Sequence, residues 1–82
     1  MALFFLEYDL RNDRDYQKLY NELENYDAVR ILESLWCFKQ SDTSAKEIRD
    51  HFKQFIDADD GLVVSKVTGW ATLRTQGDPS DL

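Results

Sequence analysis

The apolar positions of the chain form two kinds of pattern, continuous runs typical of strands and spaced positions typical of helices. The first run covers residues 2–10 and predicts a strand that is buried on at least one face. After a polar stretch that begins at Arg11, apolar side chains recur three and four positions apart, at Tyr16, Leu19, Tyr20 and Leu23. This spacing predicts an amphipathic helix that ends near Tyr26 and Asp27. Asp13 is its predicted N-cap, because a carboxylate there accepts bonds from the first backbone N–H groups.

Residues 28–39 form a second long run, rich in β-branched and aromatic side chains and free of glycine and proline. This run is too long for one ordinary strand. We therefore predict two strands joined by a tight connection at Glu33 and Ser34. A single long, bent strand is the alternative, because a turn sequence of the Asn-Gly type is missing.

A second helix and a fourth strand follow this run. Ser44 and Glu47 have the spacing of a capping box, in which the two side chains satisfy backbone N–H groups at the start of a helix. The helix is predicted to run to about Ile56, and its inner face contains Ala45, Ile48, Phe52, Phe55 and Ile56. Residues 57–61 are predicted to form a turn, and residues 62–67 a strand.

The chain after the fourth strand is mixed in character. Residues 70–73, which we call the Trp70 segment, are a candidate for a short extra strand. Residues 74–82 are polar, contain Gly77 and Pro79, and are predicted to form a flexible tail. The sequence therefore predicts one domain, residues 1–73, followed by this tail.

The order strand–helix–strand–strand–helix–strand predicts an α+β, ferredoxin-like fold. In that fold a four-stranded antiparallel sheet carries both helices on one face. The opposite face then needs a cover, since large apolar patches are seldom left exposed. Only a second copy of the chain is left to provide one in this prediction, so we expect a homodimer. The Trp70 segment would then pair with the sheet edge of the partner.

The net charge limits the possible functions, and the single cysteine bears on the cellular compartment. The net charge is −6, from 16 acidic and 10 basic residues. This balance argues against a protein that coats nucleic acid generally, but it allows a metal-dependent site that approaches phosphate through a cation. The acidity is otherwise explained by solubility. Cys37 has no disulfide partner and lies in an apolar run, which predicts a buried thiol and favours a reducing cytosol.

The N-terminal run has no basic flank and stops at Glu7, which makes it too short for a signal peptide or a membrane span. We therefore expect a cytoplasmic protein without a membrane partner.

Asp9 is the most informative candidate for chemistry, because it lies where an apolar strand ends and would be held rigidly there. A single carboxylate can bind Mg²⁺, which takes only one or two protein carboxylates and keeps several waters. In a twofold dimer, two Asp9 side chains could share one ion that activates water and neutralises a phosphodiester. The alternative is that Asp9 caps a turn or the first helix.

Two short motifs resemble those of a known family. Tyr8-Asp9-Leu10, at the end of the first strand, resembles the Tyr-Asp-Ile-type motif of the small CRISPR-associated endonuclease family. The virulence-associated protein D toxins share this layout. The segment that contains Arg30, Ser34 and Trp36 is similar to the family pattern Arg-x-x-x-Ser-x-Phe, with tryptophan at the aromatic position. The resemblance covers roughly residues 2–67.

The resemblance implies a ferredoxin-like homodimer that cleaves RNA or DNA with a divalent metal, Mg²⁺ or Mn²⁺. It implies that Asp9 is the metal ligand and catalytic residue. Tyr8 would shape the site, Arg30 would contact phosphate, and Ser34 and Trp36 would line the cleft near the dimer axis. Many family members carry adjacent basic residues at the start of the first helix, whereas this sequence has Asp15 and Tyr16 there.

Two hypotheses for function follow. In the first, the chain is a metal-dependent nuclease-like homodimer, either a CRISPR-associated protein or a toxin with an antitoxin as its protein partner. In the second, it is a non-catalytic dimeric module that binds a protein partner through its acidic surface or the Trp70 segment. The motif residues favour the first hypothesis, and the net charge favours the second.

Overall fold

A computed structural model describes residues 1–12 and 15–82 of the chain. Its elements are β1 (Ala2–Asp9), α1 (Gln17–Asn25), β2 (Val29–Leu32), β3 (Leu35–Gln40), α2 (Ala45–Phe52) and β4 (Gly61–Val67). Short 3₁₀ turns cover Lys53–Phe55 and Pro79–Asp81. The order of strands and helices is the one predicted from the apolar pattern.

The four strands form one antiparallel sheet in the order β2-β3-β1-β4. The two strands with the most buried residues, β1 and β3, occupy the centre of this sheet, where both of their edges are paired. Glu33 and Ser34 form the two-residue turn between β2 and β3, so the predicted hairpin is confirmed and the single bent strand is wrong. The predicted α+β, ferredoxin-like fold is confirmed.

Alternation along the strands separates a helix-covered face from an opposite face, which we call the open face. Phe4, Leu6 and Tyr8 of β1 lie on the helix-covered face and are buried. They join buried side chains of both helices in one core, namely Leu19 and Leu23 of α1 and Ile48 and Phe52 of α2. Both helices therefore pack on the same face of the sheet, as predicted.

The two helices begin differently. α1 begins after Tyr16, and the carboxylate of Asp15 accepts a 2.9 Å bond from the backbone N–H of Gln17. The predicted cap, Asp13, lies outside the described residues. α2 begins after Ser44, whose hydroxyl accepts the backbone N–H of Glu47 at 3.2 Å, which confirms one half of the predicted capping box. The Glu47 carboxylate accepts a 3.3 Å bond from the Thr43 hydroxyl.

The C-terminal residues lie along the sheet edge at β2. The Trp70 segment forms no strand within the described chain, so the extra strand is not observed. Arg74 adopts a positive φ of 57°, and the backbone N–H of Gln76 then donates a 2.8 Å bond to the carbonyl of Ile31. Residues 70–73 take no part in the four-stranded sheet of the described chain.

The same C-terminal residues cover part of the open face. A methyl group added at Gly77 would lie only 2.8 Å from Val29 Cγ1, so the chain packs directly on β2 there. Pro79 is buried, and Ile31 and Cys37 on this face are buried as well. The expectation that only a second copy could cover the open face is therefore wrong for the part near β2. The flexibility of residues 74–82, and with it the domain boundary at residue 73, stays a prediction.

Burial of Cys37 makes its thiol a reporter of this packing. Burial raises the pKa of the Cys37 thiol to about 11. At pH 8 only about one molecule in a thousand then carries the reactive thiolate. We expect Ellman's reagent to modify native protein at pH 8 many times more slowly than protein in denaturant. Equal rates in the two conditions would contradict the burial of this side chain.

In the part of the chain that the structure describes, none of the helices has the length and apolar character needed to cross a bilayer.

Candidate functional site

Asp9 ends β1 and lies opposite Gly61 of β4. Residues two apart on a strand share a face, so Asp9 lies on the same side of the sheet as Glu7. The Asp9 side chain is 72% exposed, and its Oδ2 accepts a bond from Arg11 Nε at 3.2 Å. The structure therefore presents the Asp9 carboxylate to solvent from a paired strand end, as the sequence predicts.

Tyr8 points the other way, into the core, and its hydroxyl lies at the centre of a hydrogen-bond network. It donates to the carbonyl of Glu33 at 3.1 Å. It accepts bonds from Trp36 Nε1 at 3.1 Å and from Arg30 Nη2 at 3.3 Å. Tyr8 and Trp36 are both buried, so their rings support the site from below.

Arg30 completes this network from the surface side. Its guanidinium carbon lies 5.5 Å from the ring centre of Tyr20 and 5.1 Å from that of Trp36, within the range of cation–π contacts. Its Nη2 and Nε donate to the carbonyl of Glu33 at 2.7 and 3.2 Å. Arg30 thus holds the β2–β3 turn while it remains partly exposed.

Ser34 connects this turn to β1, because its carbonyl accepts the backbone N–H of Tyr8 at 3.1 Å. Two shallow clefts, of about 420 and 280 Å³, lie on either side of this contact. Tyr8, Asp9 and Ser34 line both clefts, and Arg30 lines the smaller one. The structure therefore brings together four predicted site residues, with Trp36 beneath them.

The Tyr8 hydroxyl is expected to stabilise this arrangement measurably. Tyr8→Phe leaves the buried Trp36 Nε1 without its acceptor, and an unpaired buried donor costs about 1–3 kcal/mol. We expect the free energy of unfolding in urea to fall by this amount. A double-mutant cycle with Trp36→Phe should show coupling of at least about 0.5 kcal/mol. Additive effects of the two substitutions would show that the bond does not contribute.

Sequence reasoning missed the contacts of the segment between β1 and α1 with the turn before β4. Arg11 Nη1 donates to the carbonyl of Asp59 at 2.6 Å, and the backbone N–H of Arg11 donates to Asp60 Oδ1 at 2.7 Å. Asn12 Nδ2 bonds to the carboxylates of Asp57 and Asp59 at 2.8 and 2.7 Å. These partners lie more than 40 positions apart in the chain, and no local pattern marks them.

The donor set near Asp9 is consistent with part of a magnesium site. Among residues 1–12 and 15–82, no three His, Cys, Asp or Glu side chains lie close enough to hold a metal ion on their own. Mg²⁺ does not need such a cluster, because it usually binds through one or two carboxylates and keeps its waters. The exposed Asp9 carboxylate fits this role.

Comparison with known proteins gives one family. The family model described as "CRISPR associated protein Cas2" matches residues 1–75. The match includes all four strands, both helices, Asp9 and the β2–β3 turn. No solved structure matches the chain.

Proposed function

The chain belongs to the CRISPR associated protein Cas2 family, and from this premise we propose that it is a homodimeric, metal-dependent nuclease of RNA or DNA that uses Asp9. The family supports a CRISPR-associated, endonuclease-like role. The observation that supports the Asp9 assignment is its exposed carboxylate, which lies at a paired strand end between two clefts. In the nuclease, Asp9 binds the cation.

Asp9 would hold a divalent cation, Mg²⁺ or Mn²⁺, which would supply Lewis-acid activation of the phosphodiester and of a water molecule. The residues of the chain position Asp9 and the substrate. Tyr8, fixed by Trp36, holds the end of β1 against the β2–β3 turn. Arg30 contacts a phosphate from the rim of the smaller cleft, and Ser34 lines the path of the nucleic acid next to Asp9.

The proposed dimer rests on the part of the open face that the C-terminal residues do not cover. Val63 lies on this face and is 58% exposed; it pairs with Glu7, two register positions from the Asp9–Gly61 pair. Phe5 and Leu35 share this face and are only partly buried. A second chain that covers this apolar surface around a twofold axis would bring the two Asp9 carboxylates toward each other.

Light scattering and sedimentation at micromolar concentration test the dimer. We expect about twice the chain mass for the wild type. Val63→Glu places a charge in the apolar interface, where an unpaired charge is strongly unfavourable, and should give a monomer. Leu82→Glu is a matched control on an exposed apolar residue outside the sheet, and it should remain dimeric. A wild-type chain that stays monomeric would contradict the proposal.

Cleavage assays test the nuclease function. We expect the wild-type protein to cut single-stranded RNA or DNA in the presence of Mg²⁺ or Mn²⁺, and EDTA to stop the reaction. Cleavage that persists in EDTA would contradict a metal-dependent mechanism. No cleavage of any of the four substrate types, single- or double-stranded RNA or DNA, would contradict the enzymatic role altogether.

A non-catalytic dimer of the same fold is the second candidate function. The net charge of −6 and the Asp15-Tyr16 pair at the start of α1 favour it, because both weaken contact with phosphate. The partner would then be a protein, such as an antitoxin if the chain is toxin-like. A stable dimer without cleavage, with affinity for a protein partner, is the result expected from this alternative.

A further inference from the structure

Arg11 is fixed beside Asp9 by three contacts. Its Nε donates to Asp9 Oδ2 at 3.2 Å, while its Nη1 donates to the carbonyl of Asp59 at 2.6 Å. Its backbone N–H donates to Asp60 Oδ1 at 2.7 Å. An exposed ion pair between two mobile side chains contributes little free energy, because both side chains must be ordered to form it. The Arg11 guanidinium is already held near the Asp9 carboxylate by the turn before β4.

Gly61 provides the space in which the guanidinium lies. A methyl group added at Gly61 would come within 3.1 Å of Arg11 Nη2, and it would lie at an ordinary 3.5 Å from Asp9 Cβ. The tight contact is with the flexible end of the arginine side chain, so the arginine is the group that would move. The absence of a side chain at this position therefore lets Arg11 reach Asp9.

We propose that Arg11 sets the divalent-cation affinity of Asp9 by competing for its carboxylate. The inference rests on the proposed function, in which Asp9 is the metal ligand. A guanidinium and a divalent cation at one carboxylate repel each other, so the pairing with Arg11 must weaken when the cation binds. Arg11 is thus a positioning residue that changes the cation affinity of Asp9. Its distances to the Asp9 carboxylate and the Asp59 carbonyl support this role.

Mn²⁺ binding to the full-length chain tests this competition, measured by titration with electron paramagnetic resonance of free Mn²⁺. We expect Arg11→Gln to tighten Mn²⁺ binding about three- to tenfold, from the lost repulsion between charges a few ångströms apart. Gly61→Ala should shift the affinity in the same direction without any change in net charge. Arg49→Gln, which removes the cation of an exposed pair with Asp50, is the matched control and should have less than about a twofold effect.

The outcomes separate this inference from the function on which it rests. Binding that Asp9→Asn does not weaken overturns the metal site, and the inference with it. Binding that depends on Asp9 but is equal in wild type, Arg11→Gln and Gly61→Ala overturns the inference alone. Gly61→Ala keeps the test valid if Arg11→Gln disturbs the turn at Asp59, and thermal melting by circular dichroism identifies such a disturbance.

Discussion

Replacing Asp9 with asparagine is expected to lower metal-dependent cleavage by at least about 100-fold and to leave the fold intact. Asparagine keeps the shape of the side chain but loses the negative charge that binds a divalent cation. Charge stabilisation by a bound metal contributes several kcal/mol to the transition state, and each 1.4 kcal/mol corresponds to about tenfold in rate. The comparison is made under the metal conditions at which the wild type is most active.

The stability of Asp9→Asn separates this effect from unfolding. The Asp9 side chain is 72% exposed, and its pair with the exposed Arg11 contributes about 0–1 kcal/mol at most. We therefore expect a melting temperature within a few degrees of the wild type. Glu24→Gln, which removes a charge from an exposed position on α1, is the matched control and should keep full activity. A variant at Asp9 that retains more than half of the activity would remove this residue from the mechanism.

Replacing Phe38 with alanine is expected to have the largest effect on stability. Phe38 is fully buried on β3, and its ring centre lies 5.2 Å from that of Tyr26, 6.1 Å from Phe4 and 6.0 Å from Phe52. These neighbours belong to α1's C-terminal end, β1 and α2, so this ring joins three elements. Removing a buried phenylalanine costs about 3–5 kcal/mol, from lost burial and the cavity that remains.

That cost is large for a chain of this length. A domain of 82 residues has a total stability of about 4–12 kcal/mol. We expect Phe38→Ala to lower the melting temperature by about 15–30 °C or to prevent folding, as measured by circular dichroism. Phe5→Ala, the same change on the open face, removes a partly buried ring and should cost about half as much. A loss below about 1.5 kcal/mol for Phe38→Ala would contradict its central position.

The features of the fold that depend on local sequence patterns could be predicted from the sequence. The two helices follow from apolar positions three to four residues apart, and the four strands follow from continuous apolar runs, because both patterns fit within one element. The position of Asp9 at a strand end follows from the same reasoning, because the apolar run stops there. The length of the apolar run at residues 28–39 alone predicts the tight turn at Glu33 and Ser34.

The contacts among the site residues required the tertiary structure. The hydroxyl of Tyr8 binds Trp36 and Arg30, which are 28 and 22 positions away, and Arg11 bonds to the turn 48 positions further on. No spacing rule joins residues so far apart, because their approach depends on which strands become neighbours. The motif resemblance implies that Arg30 contacts a phosphate. The structure shows in addition that Arg30 donates a hydrogen bond to the Glu33 carbonyl.

The covering of the sheet likewise depends partly on local sequence and partly on tertiary contacts. Alternation along a strand is a local property, so the sequence pattern predicts apolar side chains on the face of the sheet opposite the helices. The tertiary structure alone shows that residues 76–79 pack on Val29 and Ile31, and that the turn at Asp59 and Asp60 holds Arg11. Each of these contacts needs a partner brought close by chain reversal, and the reversals at Arg74 and before β4 set positions that a linear pattern does not contain.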